Sequence, residues 1–468
     1  MSAAPELPTL AEAAARIKSG RLSPVTLTNA CLARIERYEP SIHAFHNVMA
    51  AEARAAAEAA EREIRGGNYR GPLHGMPIAL KDVFYMKGYK TTSNSRVMLD
   101  FEAGEDATVV RRLKEAGAVI IGQLNTYEFT FAGRPSFDPP FPPARNPWNV
   151  ERSTGGSSSG SGAAVAAGFC LGAIGTDSGG SIRVPAALNG IAGLKPTIGR
   201  VSTFGDMPLT YSLDCVGPMA WTSEDCALML QTIAGYDARD PTSADEPVED
   251  YLSGLSAGVR GLRVGVIRHF HTTDFAAPPE IAAAIDNVCR TLADLGADVS
   301  DVSVSPLLDW HAVGRIILPA EAYAIHEERL QTRWHEYGKL TRNRLMLGAL
   351  IRAVDYIQAQ RRRTELMEEM EAVFADHDVV ITTGMLTPAP PLDDTAPFPH
   401  LDVPMIAIPF NLTLHPAHIV RAGFFADGMP IGAQITGRHW EEATVLRVAH
   451  AFEQAAGLLA RRPSIQTQ

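Results

Sequence analysis

A chain of 468 residues with 46% hydrophobic and 20% charged residues has the composition of a globular protein, long enough for two or three domains or one large α/β domain. The formal net charge of −11 argues against phosphate-backbone binding as a main role, so no nucleic-acid partner is expected. Cys31, Cys170, Cys215, Cys226 and Cys289 lack metal-type spacing and read as reduced thiols; with Glu6 and Glu12 interrupting any N-terminal signal, a cytoplasmic location is expected.

In chain order, Leu10–Lys18 reads as an alanine-rich helix. Ser23-Pro24 is an N-cap followed by proline at the first helical position, predicting a helix to about Tyr38. A second alanine-rich helix covers 48–64. Residues 77–80 predict a short buried strand that delivers Lys81 at its end, and a helix over 107–116 leads to a strand at 119–122. Tyr127, Phe129 and Phe131 alternate and are expected to pack in the core. The proline-dense stretch 133–143 reads as a stiff loop able to shape a pocket mouth.

The next stretch organises the chain. Gly155-Gly156-Ser157-Ser158-Ser159-Gly160-Ser161-Gly162 is followed by a small-residue run, Ala163 to Leu171, read as a buried helix, and then by Gly175-Thr176-Asp177-Ser178-Gly179-Gly180-Ser181-Ile182-Arg183. Two glycine turns carrying serines can therefore meet, and consecutive N–H groups in such turns can hold an oxyanion. No lysine follows the glycines as a phosphate loop requires, and the apolar run beyond them is unlike a flexible linker. The uncharged stretch 153–176 is too rich in glycine and serine for a membrane span. Gly156-Ser157-Ser158-Ser159-Gly160 also fits G-x-S-x-G with Ser158 as nucleophile, but the preceding Asn149-Val150-Glu151-Arg152 is polar where an apolar strand should stand.

This pair of turns resembles the amidase signature family of Ser-Ser-Lys hydrolases. The likeness continues through Gly193-Leu194-Lys195-Pro196-Thr197 and includes Gly75-Met76-Pro77-Ile78-Ala79-Leu80-Lys81-Asp82, matching the upstream lysine motif. The resemblance implies an α/β amidase-signature fold, a large mixed β-sheet covered on both faces by helices. It spans about 25–457. Residues 1–65 are expected to be N-terminal helices packed on the core. The catalytic domain would be 66–460, with core segments 66–255 and 400–460 and a helical and βαβ insertion at about 256–400.

Beyond the signature, a helix over 222–234 precedes a strand at 263–267, a helix at 279–295 and a strand at 297–302, which together read as a βαβ unit. Helices dominate 321–375, where the charges of 361–371 read as a solvated face, and a strand follows at 379–382. A second proline-rich stretch, 385–404, carries Phe398 and His400 and reads as a pocket wall. Asn411-Leu412-Thr413-Leu414-His415-Pro416-Ala417 resembles a late family segment, with Leu414 in place of the usual glycine and His415 before the proline. Residues 433–438 and a final helix over 442–455 close the pattern. His415 and His418 lie three apart with no carboxylate or cysteine beside them in sequence, so neither a metal nor another cofactor is expected.

Site chemistry and the resemblance together imply Ser181 as nucleophile and Ser157, held by a cis Gly156–Ser157 peptide, as relay to the base Lys81. Backbone N–H groups of Ser178, Gly179, Gly180 and Ser181 would hold the oxyanion, Asp177 and Arg183 would brace the turn, and Thr130, Phe131, Gly156 and Ser157 would touch substrate. The expected activity is hydrolysis of non-peptide linear amides through an acyl-enzyme. Phe137, Phe141 and Phe398 suggest apolar or aromatic substrates. Carbamate or ester hydrolysis uses the same triad, and a glutaminase-like member of a transamidation complex is a further alternative. A small-molecule substrate, no membrane and a monomer or homodimer complete the expectation.

Overall fold

The computed structural model describes residues 7–393 and 403–465; Phe398 and His400 lie outside them. Its strands are β1 (Phe45–Val48), β2 (Pro77–Lys81), β3 (Val119–Leu124), β4 (Arg145–Asn146), β5 (Asn149–Ser153), β6 (Gly172–Thr176) and β7 (Ala192–Lys195). β8 (Val216–Ala220), β9 (Arg263–Val266), β10 (Asp298–Asp301), β11 (Val379–Thr383), β12 (Ala417–Phe424) and β13 (Pro430–Gly437) follow. Apart from the β4–β5 pair, they form one 11-stranded sheet in the order β1-β3-β2-β6-β8-β7-β12-β13-β11-β9-β10. β3, β2 and β6 run parallel, as do β11, β9 and β10, while the strands between them pair antiparallel. The expected large mixed sheet is thus what forms. The segment 256–400 contributes β9, β10 and β11 to it, and the segment 1–65 contributes β1.

The strand sequences explain this layering. β2, β3, β6, β8, β11 and β13 are buried along their whole length, as strands covered on both faces must be. β10, at one edge, reads Asp-Val-Ser-Asp and is mostly exposed, which discourages pairing with another chain. The helix Leu10–Lys18 starts with a capping box between Thr9 and Glu12. Ser23 Oγ accepts from the N–H groups of Val25 and Thr26 to open the next helix, Pro24–Ile42. This helix runs beyond Tyr38 and through Pro40, ending at left-handed His43. The predicted stop before Glu39-Pro40 is therefore early, because a proline near a helix end forfeits little of the remaining hydrogen-bond ladder.

The small-residue helix occupies Ser159–Ala167, four residues earlier than expected, and Gly168 ends it in the left-handed region at φ 69°. The residues after it turn directly into β6, a strand of glycine, alanine, isoleucine and threonine too short and too small-chained to stand out in sequence. Close packing of this helix rests on glycine: a Cβ on Gly160 would lie 2.4 Å from the Ala44 carbonyl oxygen and 2.6 Å from backbone atoms of Asn125. Backbone cannot yield as a side chain can. Gly160→Ala is expected to destabilise the fold by about 1–3 kcal/mol, measured as a lower urea midpoint with an unchanged m-value.

Candidate active site

β2 and β6 are parallel neighbours, with Leu80 opposite Ile174, so Lys81 and Thr176 leave the sheet at the same edge. Lys81 Nζ lies 2.6 Å from Ser157 Oγ and 2.7 Å from Thr176 Oγ1. The lysine is fully buried, and burial pushes it down to about 7 against the opposing pull of the Asp206, Asp177 and Asp214 carboxylates. Ser157 is buried as well, whereas Ser181 is only half-buried. The turns of the two serines touch: Ser158 N–H donates to the Ser181 carbonyl at 3.3 Å, and a Cβ on Gly156 would lie 3.3 Å from Ser181 Cα. The fold thus gathers Lys81, Ser157 and Ser181 from three separate segments.

The expected cis Gly156–Ser157 peptide is not present, because no peptide bond among the described residues is cis. Gly155 at φ 72° and Gly156 at φ 59° carry the chain through the turn in the left-handed region, which glycine adopts readily. Ser158, the nucleophile of the G-x-S-x-G reading, is buried against β6. Its Oγ donates to the Thr176 carbonyl at 3.2 Å and accepts from the Thr176 N–H at 3.3 Å. It fastens the turn and does not line the cavity.

Asp177 and Arg183 form a fully buried ion pair. Arg183 Nε and Nη2 each donate to the carboxylate at 3.0 Å, Nη1 donates to the Ala407 carbonyl and Gln434 Oε1 at 2.8 Å, and Nη2 donates also to Asn411. Burial alone would push the Asp177 carboxyl up, but the Arg183 guanidinium and the Asn411 amide hold it well below the ordinary carboxylate range. The same carboxylate accepts the N–H groups of Gly180 at 2.7 Å and Ile182 at 3.1 Å. Gly180 N–H is therefore committed to shaping the turn. The N–H groups of Ser178, Gly179 and Ser181 have no hydrogen-bond partner among the described residues, which leaves three of the four expected donors free.

Gly156, Ser157, Gly179, Gly180 and Ser181 face a cavity of about 280 Å³. Thr130 and Phe131 line it too. Phe129 and Thr130 sit in the left-handed region at φ 46° and 57°, a strained arrangement for non-glycine residues. Glu128 holds it, accepting from Ser95 Oγ at 2.7 Å and from the Gly338 N–H at 2.9 Å. As expected, Tyr127, Phe129 and Phe131 are all buried.

The aromatic mouth anticipated from the first proline-rich loop does not form. Phe137 is 60% exposed, and Phe141 packs against the His46 ring at 4.9 Å; neither lines the cavity, which this loop reaches through Gly133, Arg134 and Pro135. The second proline-rich stretch does supply wall, through residues such as Met385, Leu386 and Pro404.

The charged lining residue Arg344 does not stand out in the sequence. Arg344, from the helix Lys339–Ala349, lines the cavity; its Nη1 donates to the Phe131 carbonyl at 3.1 Å and its guanidinium lies 4.3 Å from the Phe131 ring centroid. Burial, then the neighbouring Arg315, pushes it down to about 9, and no carboxylate acts on either arginine among the described residues. The available signal was spacing, since Arg342 and Arg344 are two apart on a helix and cannot share a face.

Among the described residues, no helix is long and apolar enough to cross a membrane. Residues 26–446 match the family model described as Amidase. The chain is 40% identical over 475 residues to a glutamyl-tRNA(Gln) amidotransferase subunit of Geobacter metallireducens, covering 96% of this chain and 97% of the relative. It superposes with a TM-score of 0.90 and 32% identity on a chain solved in work on a vestigial protein complex and the origins of an s-triazine catabolic enzyme, covering 98% and 100% of the two chains. The native peptide amidase of Stenotrophomonas maltophilia gives 0.87 and 30%, covering 98% and 99%. With the sheet and the paired glycine turns, these matches place the chain in the amidase signature family.

Proposed function

We propose that this chain cleaves the C–N bond of an amide through an acyl-enzyme on Ser181, and that the amide belongs to a small carboxylate-bearing molecule of the glutamine type. Neutral Lys81 accepts the Ser157 Oγ proton while Ser157 takes that of Ser181, whose Oγ attacks the amide carbonyl carbon. Thr176 Oγ1 accepts an Nζ–H and so turns the Nζ lone pair toward Ser157. The free N–H groups of Ser178, Gly179 and Ser181 stabilise the oxyanion. When the intermediate collapses, the proton returns through Ser157 to the leaving nitrogen, and water then releases the acid. Asp177 and Arg183 keep the turn in shape and carry no proton.

The observation that carries the reaction is the buried Lys81–Ser157 contact at 2.6 Å. Substrate class rests on Arg344, a half-buried cation on the cavity wall that no carboxylate among the described residues neutralises and that a substrate carboxylate would pair with. That the relatives are named as one subunit of an amidotransferase supports a glutaminase-like role beside a protein partner and weighs against the monomer or homodimer expectation. A free-standing hydrolase of apolar amides or carbamates is the second reading, favoured by Leu188, Leu209, Leu318 and Met405 on the same wall.

Ser181→Ala and Lys81→Ala should each lower turnover by about 10³-fold or more, with strongly non-additive combination, while Ser158→Ala costs far less. Single-turnover assays of purified variants check this.

Because Lys81 sits at about 7, its protonated form dominates below that pH and cannot accept a proton. Activity should therefore climb with pH through an apparent ionisation near neutrality and level off above it. A kcat/KM profile highest in acidic buffer excludes Lys81 as base.

Arg344→Met should lower kcat/KM for glutamine by about 10–100-fold, the worth of a charge-assisted hydrogen bond of roughly 1.5–3 kcal/mol, and leave acetamide nearly unchanged. If the unmodified protein prefers an anilide to glutamine and Arg344→Met alters neither, the apolar-substrate reading replaces this one.

A further inference from the structure

We propose that Glu371, His415 and His439 form a binding site for a divalent transition-metal ion of the zinc type, outside the amide-binding cavity. The three come from separate segments: Glu371 from the helix Ala353–Asp376, His415 from the chain entering β12, and His439 from the turn after β13. One ligand atom from each lies within 4.8 Å of the others. His439 Nδ1 is 3.2 Å and His415 Nε2 is 3.4 Å from the same oxygen, Glu371 Oε1. The lack of a carboxylate beside His415 in sequence is thus made good by a distant helix. His418, three residues on, turns away to bond Ser223 at 2.8 Å.

Hydrogen bonding assigns the protons. His439 Nε2 lies 2.8 Å from the Thr413 carbonyl oxygen, which only accepts, so Nε2 carries a proton, and any lone pair the ring offers is at Nδ1. That lone pair faces a carboxylate oxygen, an arrangement a shared cation relieves. A metal-bound histidine is oriented in this manner, its second nitrogen donating to a backbone carbonyl. His415 is 1% exposed; its Nδ1 has no hydrogen-bond partner among the described residues, and its Nε2 faces only Glu371 Oε1. At 3.4 Å the Nε2 contact with Glu371 is long for a hydrogen bond, and an ion between the two would give Nε2 a closer partner.

The two imidazoles stack with centroids 3.9 Å apart and planes 12° from parallel, and both turn a nitrogen to Glu371 Oε1; their lone pairs lie in parallel planes, so a shared ion requires one ring to turn toward it. Two imidazolium ions at that spacing would repel, whereas two neutral rings can serve one ion. The Glu371 side chain is 54% exposed and that of His439 28%, which gives the ion an entry path, lets the His439 ring turn and leaves space for a water as fourth ligand. Imidazole donors select zinc, cobalt or nickel over magnesium or calcium. None of the three residues lines the cavity, so the ion acts as a clamp. It fastens the Thr413–His415 segment, beside Asn411, whose amide donates to Asp177.

Titration of the metal-free full chain with zinc, and with cobalt followed by visible absorption, tests the site. One ion per chain is expected, with cobalt bands of a four-coordinate nitrogen and oxygen set, a raised Tm with zinc and no response to magnesium. Glu371→Gln, at an exposed position, and His439→Ala, at a half-buried one, should weaken zinc binding by about 100-fold or more and abolish the cobalt bands without altering the far-UV spectrum. His415→Ala, at a buried position, is a secondary check. Absence of one-to-one zinc binding, or binding that Glu371→Gln and His439→Ala leave unchanged, overturns the proposal.

Discussion

The arrangement of the site depends on one buried ion pair. Asp177 and Arg183 are six residues apart, at either end of the second glycine turn, and their contact fixes the loop that carries Gly179, Gly180 and Ser181. A buried pair of this kind is worth little in net stability, because desolvation offsets most of the attraction. Its effect is positional. Every remaining donor of Arg183 is used on Ala407, Gln434 or Asn411, so the turn is tied to chain more than 200 residues away. Removing either partner would leave an isolated charge where no water reaches, and the turn would have no reason to keep its shape.

The same burial sets the proton chemistry. A lysine beside three aspartates would ordinarily stay charged, yet here the carboxylates are themselves compromised. Asp177 is paired with Arg183, while burial pushes Asp206 and Asp214 upward, toward their neutral forms. Asp214 is further occupied, accepting from Ser178 Oγ and from the Leu209 and Thr210 N–H groups. What is left around Lys81 is a desolvated pocket with two hydroxyls, and an amine in that setting gives up its proton near neutrality. The proposed base therefore needs no histidine, and the two side-chain partners of Lys81 are both hydroxyls.

Residues whose roles follow from local pattern were legible in the sequence. Lys81 at a strand end, the two glycine turns and the Asp177–Arg183 spacing each require only a few neighbouring residues to state, and the fold assembles them as the pattern implies. Contacts made by the folded chain were not legible. β12 and β13 went unpredicted because their burial comes from the sheet around them, and β6 because small residues hide a strand. Phe137 and Phe141 are aromatic and lie in a loop near the site, but proline stiffness says nothing about direction, and one points to solvent while the other covers His46. Glu371 read as part of a solvated helix face, which it is; only the fold shows which side chains approach that face from β12 and β13.

Arg344 bears on how substrate choice is distributed over the chain. The proposed reacting groups come from segments before residue 184, Lys81 from the end of β2 and the two serines from turns shaped by glycine and by buried charge. Other parts of the cavity wall draw on the helical segment between β10 and β11, which contributes Leu318 and Arg344, and on the second proline-rich stretch with the residues that follow it. Changing Leu318 or Met405 alters an apolar surface by amounts that scale with area, about 25 cal/mol per Å². A cation on the same wall acts differently. Left without an anion it disfavours a purely apolar ligand, and given one it fixes that ligand's orientation through a planar, bidentate contact. On the proposed reading, changes in the segment that carries Arg344 would shift the preferred amide between apolar and anionic while the Lys81, Ser157 and Ser181 geometry stays as it is.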